Sequence, residues 1–316
     1  WNIYFFFFFY KLLADCYENI KRYVDYVDRT SPTGLTSWGR GDWVPVKSHS
    51  SKELTSSVYF YVDTKILANA AKMFNKTEDY KYYSALANKI KNAINDKFLN
   101  RETGIYGSGV QTEQSVPLQW GIVPEELKRK VARNLAKQVE AAGFHLDVGV
   151  LGAKAILNAL SENGEAETAY KLAAQDTYPS WGCWIANGAT TLLENWDLNA
   201  TRDISDNHMM FGEIGGWFYK GLGGIFPDPE NPGFKHILLR PNFPSGLNEL
   251  EARYQSPYGE ICSKWERKKN RIVYHVTVPA NSTATFYAPD NVKGERAVNL
   301  EAGKHILELP IKRAVY

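Results

Sequence analysis

Hydrophobic spacing in this chain changes period once, and the change divides it. Ahead of the stretch containing Pro227, Pro229, Pro232 and Gly233, apolar residues recur every three or four positions, and beyond it they alternate. Leu13, Tyr17, Ile20, Val24 and Val27 predict a helix over 10–28, ended by Ser31-Pro32-Thr33-Gly34. Val58, Val62, Ile66, Ala70 and Met73 predict a second over 53–74, and a third follows over 78–99. Further helices are expected over 125–141, 148–161 and 165–175, each bounded by Gly or Pro. Residues 111–121 show no clean period, and 207–222 reads as one more helix interrupted by Gly215 and Gly216. On the other side, short runs at 236–239, 261–265, 271–278, 283–287 and 305–309 are separated by turn residues, which predicts a small antiparallel β-sandwich. The expected division is a helical domain over 1–228 and a β-sandwich over 229–316.

The helices follow no strict repeat and are joined alternately by short turns and by longer aromatic-rich loops. Helical hairpins arranged in a ring, an (α/α)6 toroid, fit that rhythm, with ligands at the mouth where the long loops gather. An open helical bundle is the alternative. At 316 residues the chain is long enough for two domains with substantial cores.

Charge excludes some partners. With 37 basic and 35 acidic residues and no basic run, nucleic acid is not expected. Cys16, Cys183 and Cys262 are odd in number, with no CxxC pair, which argues against a disulfide framework or a zinc signature. The segment Trp1 to Tyr10 is almost wholly aromatic, yet shorter than the roughly 20 residues that cross a bilayer. It has no basic start and no cleavage site, so neither a membrane span nor a signal peptide is expected. It reads as the buried face of a helix already under way, which implies sequence upstream.

Chemistry concentrates between residues 178 and 208. Trp181, Trp184, Trp196, Glu194, Asp197 and His208 fall within this stretch, and Gly182 and Gly188 break any long helix. Aromatic rings stack on the apolar faces of sugars, and carboxylates bind hydroxyls or move protons, so the cluster points to a carbohydrate pocket. The competing reading makes the tryptophans core and Asp197 a turn cap. A second aromatic loop holds Trp38, Gly39, Arg40, Gly41, Asp42 and Trp43. Hydrolysis of a glycosidic bond needs two carboxyl groups. The loop candidates are Asp42, Glu113, Asp147, Glu194, Asp197, Asp203 and Asp206, of which Glu194 is the sharpest. His145 and His208 would bind a sugar hydroxyl or serve the fold, and neither has the spacing of a metal motif.

Several motifs occur in one order: Gly41-Asp42-Trp43, Gln111-Thr112, His145-Leu146-x-x-Gly149, Tyr178-Pro179-Ser180-Trp181-Gly182, Gly188-Ala189-Thr190-Thr191-x-x-Glu194-x-Trp196-Asp197, Asn207-His208-x-x-x-Gly212 and Pro232-Gly233-Phe234-Lys235-His236-Ile237. Together they resemble the bacterial α-L-rhamnosidases of glycoside hydrolase family 78, over nearly the whole chain from about residue 10. The resemblance implies an (α/α)6 barrel lacking its first helices, a C-terminal β-sandwich, and inverting hydrolysis of terminal α-L-rhamnose. It implies that Glu194 is the general base, that His208 contacts the sugar and that Trp43 lines the subsite. Asp42, Trp181, Trp196 and His145 are further candidates for the same wall. The family's upstream motif carrying the general acid, Asp-Cys-Pro-x-Arg-x-Glu-x-x-Gly-Trp-x-Gly-Asp, is absent here and would precede residue 1. No cofactor or metal is implied. The expected partner is a carbohydrate, self-association stays open, and a secreted or periplasmic location would suit such an enzyme. Rival readings are another toroid glycosidase and a non-catalytic sugar-binding or scaffold protein.

Overall fold

The computed structural model describes residues 2–312, folded as two compact units. One runs Lys11–Ile214, and the other joins residues 2–10 to residues 215–312.

In chain order, α1 (Asn2–Phe7) belongs to the second unit and α2 (Lys11–Thr30) opens the first. Then come α3 (Lys52–Met73), α4 (Thr77–Phe98), α5 (Gln111–Gln119), α6 (Lys128–Ala141), α7 (Val150–Glu162), α8 (Ala166–Ala173) and α9 (Trp181–Ala186). A two-stranded turn, β1 (Leu99–Asn100) against β2 (Ile105–Tyr106), links α4 to α5. Helices of two kinds alternate. α2, α4, α6 and α8 bury one stripe, whereas α3, α5 and α7 are buried on most of their surface. α3 packs on α4, α5 on α6 and α7 on α8, and α5 lies between α3 and α7. This is the inner and outer layering of helical hairpins.

The stretch without a clean period, 111–121, turns out to be the inner helix α5. Gln111, Thr112, Glu113, Gln114 and Ser115 are all buried. A helix enclosed on all sides has no polar face to reveal its period, and these polar groups are used to hold loops. Gln111 donates to the His145 carbonyl at 3.1 Å and Gln114 to the Tyr106 carbonyl at 3.1 Å. Glu113 accepts from the Ser51 and Ser108 backbone N–H groups, each at 2.7 Å. Such pairing is what lets polar groups sit in a core.

α10 (Glu213–Trp217) straddles the division after Ile214, and in the second unit it runs into one π-helical turn over Phe218–Leu222 and then into the strands. These are β3 (Ile225–Pro227), β4 (His236–Leu239), β5 (Glu249–Ser256), β6 (Gly259–Arg267), β7 (Arg271–Val278), β8 (Thr283–Tyr287), β9 (Ala297–Leu300) and β10 (Gly303–Pro310). Two four-stranded sheets, ordered β10-β7-β6-β5 and β3-β4-β8-β9, enclose Phe234, Phe243, Trp265, Tyr274 and Phe286. One pair departs from the antiparallel expectation: β4 and β8 run parallel, with Ile237 opposite Ala284. Between them the chain passes through β5, β6 and β7 of the facing sheet and returns to the end where β4 began. That long connection is what a parallel pair requires.

The aromatic start also differs from expectation. It is helical, but Ile3, Phe7, Phe8, Phe9 and Tyr10 are exposed. Tyr4, Phe5 and Phe6 are half-buried; Phe6 packs edge-on to Phe234 and Tyr254, and the Gly233 N–H donates to the Phe5 carbonyl at 2.7 Å. A helix of less than two turns offers one side to its support and leaves the rest in solvent. Trp1 lies outside the described residues. No helix among the described residues is long and apolar enough to cross a membrane.

Candidate active site

The start of α7 anchors two loops. Trp43 and Asp42 reach it from one side. The Asp42 carboxylate accepts from the N–H groups of Gly149 at 2.8 Å, Leu151 at 2.7 Å and Gly152 at 3.2 Å, and from the Thr112 hydroxyl of α5. An anion belongs at a helix N-terminus, where N–H groups lack intrahelical partners and the dipole is positive. Burial pushes the Asp42 carboxyl above its ordinary value, against the four hydrogen bonds that pull it down. Val150 donates to the Trp43 carbonyl at 2.9 Å. Gly149 permits this close approach: a Cβ there would lie 2.2 Å from the Trp43 oxygen and 2.9 Å from Asp42 Oδ1. With these anchors taken, the Trp43 ring stays 37% exposed, and the Arg40 guanidinium lies over it at 5.3 Å.

From the other side comes a tryptophan cluster. Trp196 donates through its indole N–H to the Val148 carbonyl at 2.8 Å, stacks on Trp184 at 4.8 Å and meets Trp181 edge-on at 5.2 Å. Trp181 donates to the Phe211 carbonyl at 3.0 Å and Trp184 to the Trp196 carbonyl at 3.3 Å. Trp181 is 4% exposed and Trp196 1%, so the structure places both in the core beneath the loop and not on a sugar-facing wall. Large rings with one satisfied N–H fill a core well.

Above this cluster two limbs of chain run side by side. Glu194 N–H donates to the Ser205 carbonyl at 3.0 Å and His208 N–H to the Leu192 carbonyl at 2.9 Å. Thr191 bonds the Asp206 carbonyl, and Asn195 bonds the Arg202 carbonyl at 3.3 Å. The pairing brings His208 opposite Leu192, two residues from Glu194, although 14 positions separate them in sequence. Glu194 is half-buried; its Oε2 accepts the Ser205 N–H at 3.2 Å, and Oε1 has no partner among the described residues. His208 Nδ1 accepts the Met210 N–H at 3.1 Å, which leaves the proton on Nε2 as a donor. The limbs thus present an acceptor and a donor. Asp197 accepts the Asn199 N–H at 2.9 Å and caps a turn.

His145 is placed differently. Its Nδ1 faces the Ala142 carbonyl at 3.2 Å and its Nε2 the Thr177 hydroxyl at 2.8 Å, so both ring nitrogens are engaged. Asp147 is likewise occupied, accepting from the Lys47 and Ser48 N–H groups at 2.9 and 3.0 Å. Glu113, a loop candidate by sequence, is inside α5 and buried.

In the same unit a cleft of about 830 Å³ opens beside Trp43. Trp38, Tyr23, Tyr59, Arg40, Lys52 and Met210 line it with others. Met210 joins it to the His208 segment. Sequence reasoning left Tyr23, Tyr59, Arg40 and Lys52 out. The usable signal was aromatic: Tyr23 and Tyr26 sit among charges on the outward side of α2, where apolar rings are not needed for packing. Burial pushes the Tyr59 hydroxyl up to about 12. Among the described residues no group of three or more His, Cys, Asp and Glu side chains is arranged to hold a metal.

Known proteins match nearly all of this chain. Residues 1–222 match the bacterial α-L-rhamnosidase six-hairpin glycosidase domain, and residues 224–303 the bacterial α-L-rhamnosidase C-terminal domain. The chain belongs to the bacterial α-L-rhamnosidase family. An α-L-rhamnosidase from Formosa agariphila is 30% identical over 304 residues, 91% of this chain and 33% of that protein. One from Streptomyces avermitilis is 28% identical over 287 residues, 88% of this chain and 27% of that protein. The chain therefore spans about a third of the length of the curated relatives it matches. Among solved structures, the α-L-rhamnosidase from Dictyoglumus thermophilum superposes with a TM-score of 0.88 at 32% identity, covering 98% of this chain and 38% of that one. The Streptomyces avermitilis enzyme complexed with L-rhamnose superposes at 0.84 and 27% identity, covering 98% and 31%. In this rhamnosidase-family chain the Ala189 to Asp197 motif has two faces: Trp196 points into the core, and Glu194 stands on the paired limbs above it.

Proposed function

We propose that this chain is the base-bearing part of an α-L-rhamnosidase that removes terminal α-L-rhamnose from glycosides or polysaccharides with inversion. Glu194 takes the proton from the attacking water, His208 Nε2–H donates to a sugar hydroxyl, and Trp43 stacks on the ring. Asp42, Trp181 and Trp196 act from behind, by fixing Trp43 and the Glu194 limb. His145 holds the neighbouring loop. The observation that carries this reading is the Glu194 carboxylate: it is fixed through Oε2 and by a backbone pairing, and its other oxygen is left to accept a proton. A base needs both position and a vacant lone pair.

Inverting hydrolysis uses two carboxyl groups about 6.5–9.5 Å apart, with water between the base and the sugar. No carboxylate lines the cleft beside Trp43. Within this proposal the base comes from this chain and the acid from the part of the relatives' length that it does not span. The test is Glu194→Gln in the full-length protein, because the amide keeps the shape and cannot take the proton. Turnover of an α-L-rhamnoside is expected to fall by about 10²–10⁴-fold, the range of a positioned proton transfer, with rhamnose affinity within a few-fold of wild type. Near-normal turnover would remove Glu194 from the role.

A further inference from the structure

Resting on that rhamnosidase reading, we propose that the cleft also takes a second sugar ring, one bearing a carboxylate, next to the terminal rhamnose: the ring stacks on Trp38 and Tyr23, and Arg40 and Lys52 bind its carboxylate. Charge points to the anion. Arg40 and Lys52 are the charged side chains lining the cleft, and no acid lines it. Neither makes an ion pair or a side-chain hydrogen bond among the described residues. Their neighbour Glu53 is by contrast already held by Lys97 at 2.7 Å. The Arg40 guanidinium carbon lies 5.3 Å from the centroid of the Trp43 ring and, with no hydrogen-bond partner among the described residues, its N–H groups are available to a carboxylate.

The platform is built, not incidental. Trp38 is 62% exposed, yet two tyrosines of α2 support it, with ring centroids 5.9 Å away for Tyr23 and 6.3 Å for Tyr26. Its loop is tied down at both ends. Ser57 of α3 accepts from, donates to and so fixes the Thr36 backbone amide and carbonyl, at 2.9 and 3.3 Å, and Asp42 is held by α7. Between them the loop lies on the first turns of α3. A Cβ on Gly39 would be 2.9 Å from Ser56 Oγ, and one on Gly41 would be 3.8 Å from the Lys52 stem. Gly41 sits at φ +77°, a conformation other residues rarely adopt, and Arg40 and Lys52 line the same cleft. Ser37 and Ser56 add hydroxyls along the rim. At about 830 Å³ the cleft is near the top of the roughly 300–1,000 Å³ range for whole small-molecule sites, more than one pyranose fills.

The experiment compares three substrates with the full-length protein: methyl α-L-rhamnoside, α-L-rhamnosyl-glucose and α-L-rhamnosyl-glucuronic acid. At low salt the uronate disaccharide is expected to exceed the glucose one in kcat/KM by about tenfold. The ratio should fall towards one in Lys52→Met, in Arg40→Met, and in wild type as salt shortens the reach of charge. Trp38→Ala should raise KM for both disaccharides. The salt series on wild type keeps the test decisive if a variant fails to fold. A uronate preference of one, or one that survives both charge removals and high salt, overturns this inference. Failure to cleave even methyl α-L-rhamnoside overturns the rhamnosidase reading beneath it, so the two failures are told apart.

Discussion

Replacing Asp42 with alanine removes the acceptor for three N–H groups of α7 and one hydroxyl of α5 in a single step. Hydrogen bonds to a charged group contribute about 1.5–3 kcal/mol each when dry, and roughly 1 kcal/mol where water enters to replace the lost acceptor. The cost of burying the carboxylate offsets part of these bonds, so roughly 1 kcal/mol applies to each donor, giving a loss of about 3–4 kcal/mol. Losing an N-terminal helix cap alone costs about 0.5–2 kcal/mol, consistent with the lower part of that figure. For a unit of this size each kcal/mol moves the melting point by about 2–4 °C, so Asp42→Ala should melt roughly 10 °C below wild type. Differential scanning calorimetry of the 316-residue chain reads this directly. Asp42→Asn should recover part of the loss, since one amide oxygen can accept while its NH2 faces the remaining donors. If Asp42 contacts sugar and does not hold α7, the melting point will stay within about 2 °C and the effect will appear in KM alone. That result would refute the argument.

Two further outcomes follow from the packing and charge. Trp196→Ala should cost about 3–5 kcal/mol, as for other buried tryptophans, and lower rhamnoside turnover, although the ring never reaches solvent. Unfolding by urea checks the first part, and an unchanged midpoint would contradict it. Asp63 of α3 is half-buried without a hydrogen-bond partner among the described residues, and burial pushes its carboxyl from an ordinary 3.8 to about 6. A carboxyl whose folded value is raised holds its proton better folded than unfolded, so its share of stability is full below about pH 4 and is lost as pH rises through about 6. Asp63→Asn should therefore melt higher than wild type at pH 7.5, by an amount on the order of 3 kcal/mol, and lose that lead near pH 4. Parallel melting curves for the two proteins across this range would contradict the assignment.

Much of this architecture can be read from spacing alone, and the exceptions have physical causes. α2, α4 and α6 bury one stripe each, and that stripe is visible as a period of three to four. α5 is surrounded and polar, so its period vanishes; its Gln111, Thr112 and Glu113 are decided by which loops they bond, a tertiary fact. β5 alternates as well, with Leu250, Ala252 and Tyr254 turned to the core between polar residues, so this edge strand is legible from spacing too. At the site, composition marks the tryptophans as a cluster without saying which way they face. Trp38 and Trp43 are exposed, the latter with its carbonyl held by the Val150 N–H, whereas Trp181 and Trp196 are buried with their indole N–H groups bonded to the Phe211 and Val148 carbonyls. The pairing of 191–195 with 202–208 joins Glu194 to the His208 limb, and no local signal announces it.

The stereochemistry of the released sugar is the measurement closest to the central claim. Proton NMR would follow the full-length protein acting on an α-L-rhamnoside and record the first anomer to appear before mutarotation mixes them. A base on Glu194 that activates water on the far face of the ring predicts the β-anomer first. The α-anomer first would mean a retaining enzyme with a covalent intermediate, and Glu194 could not then be the base proposed here.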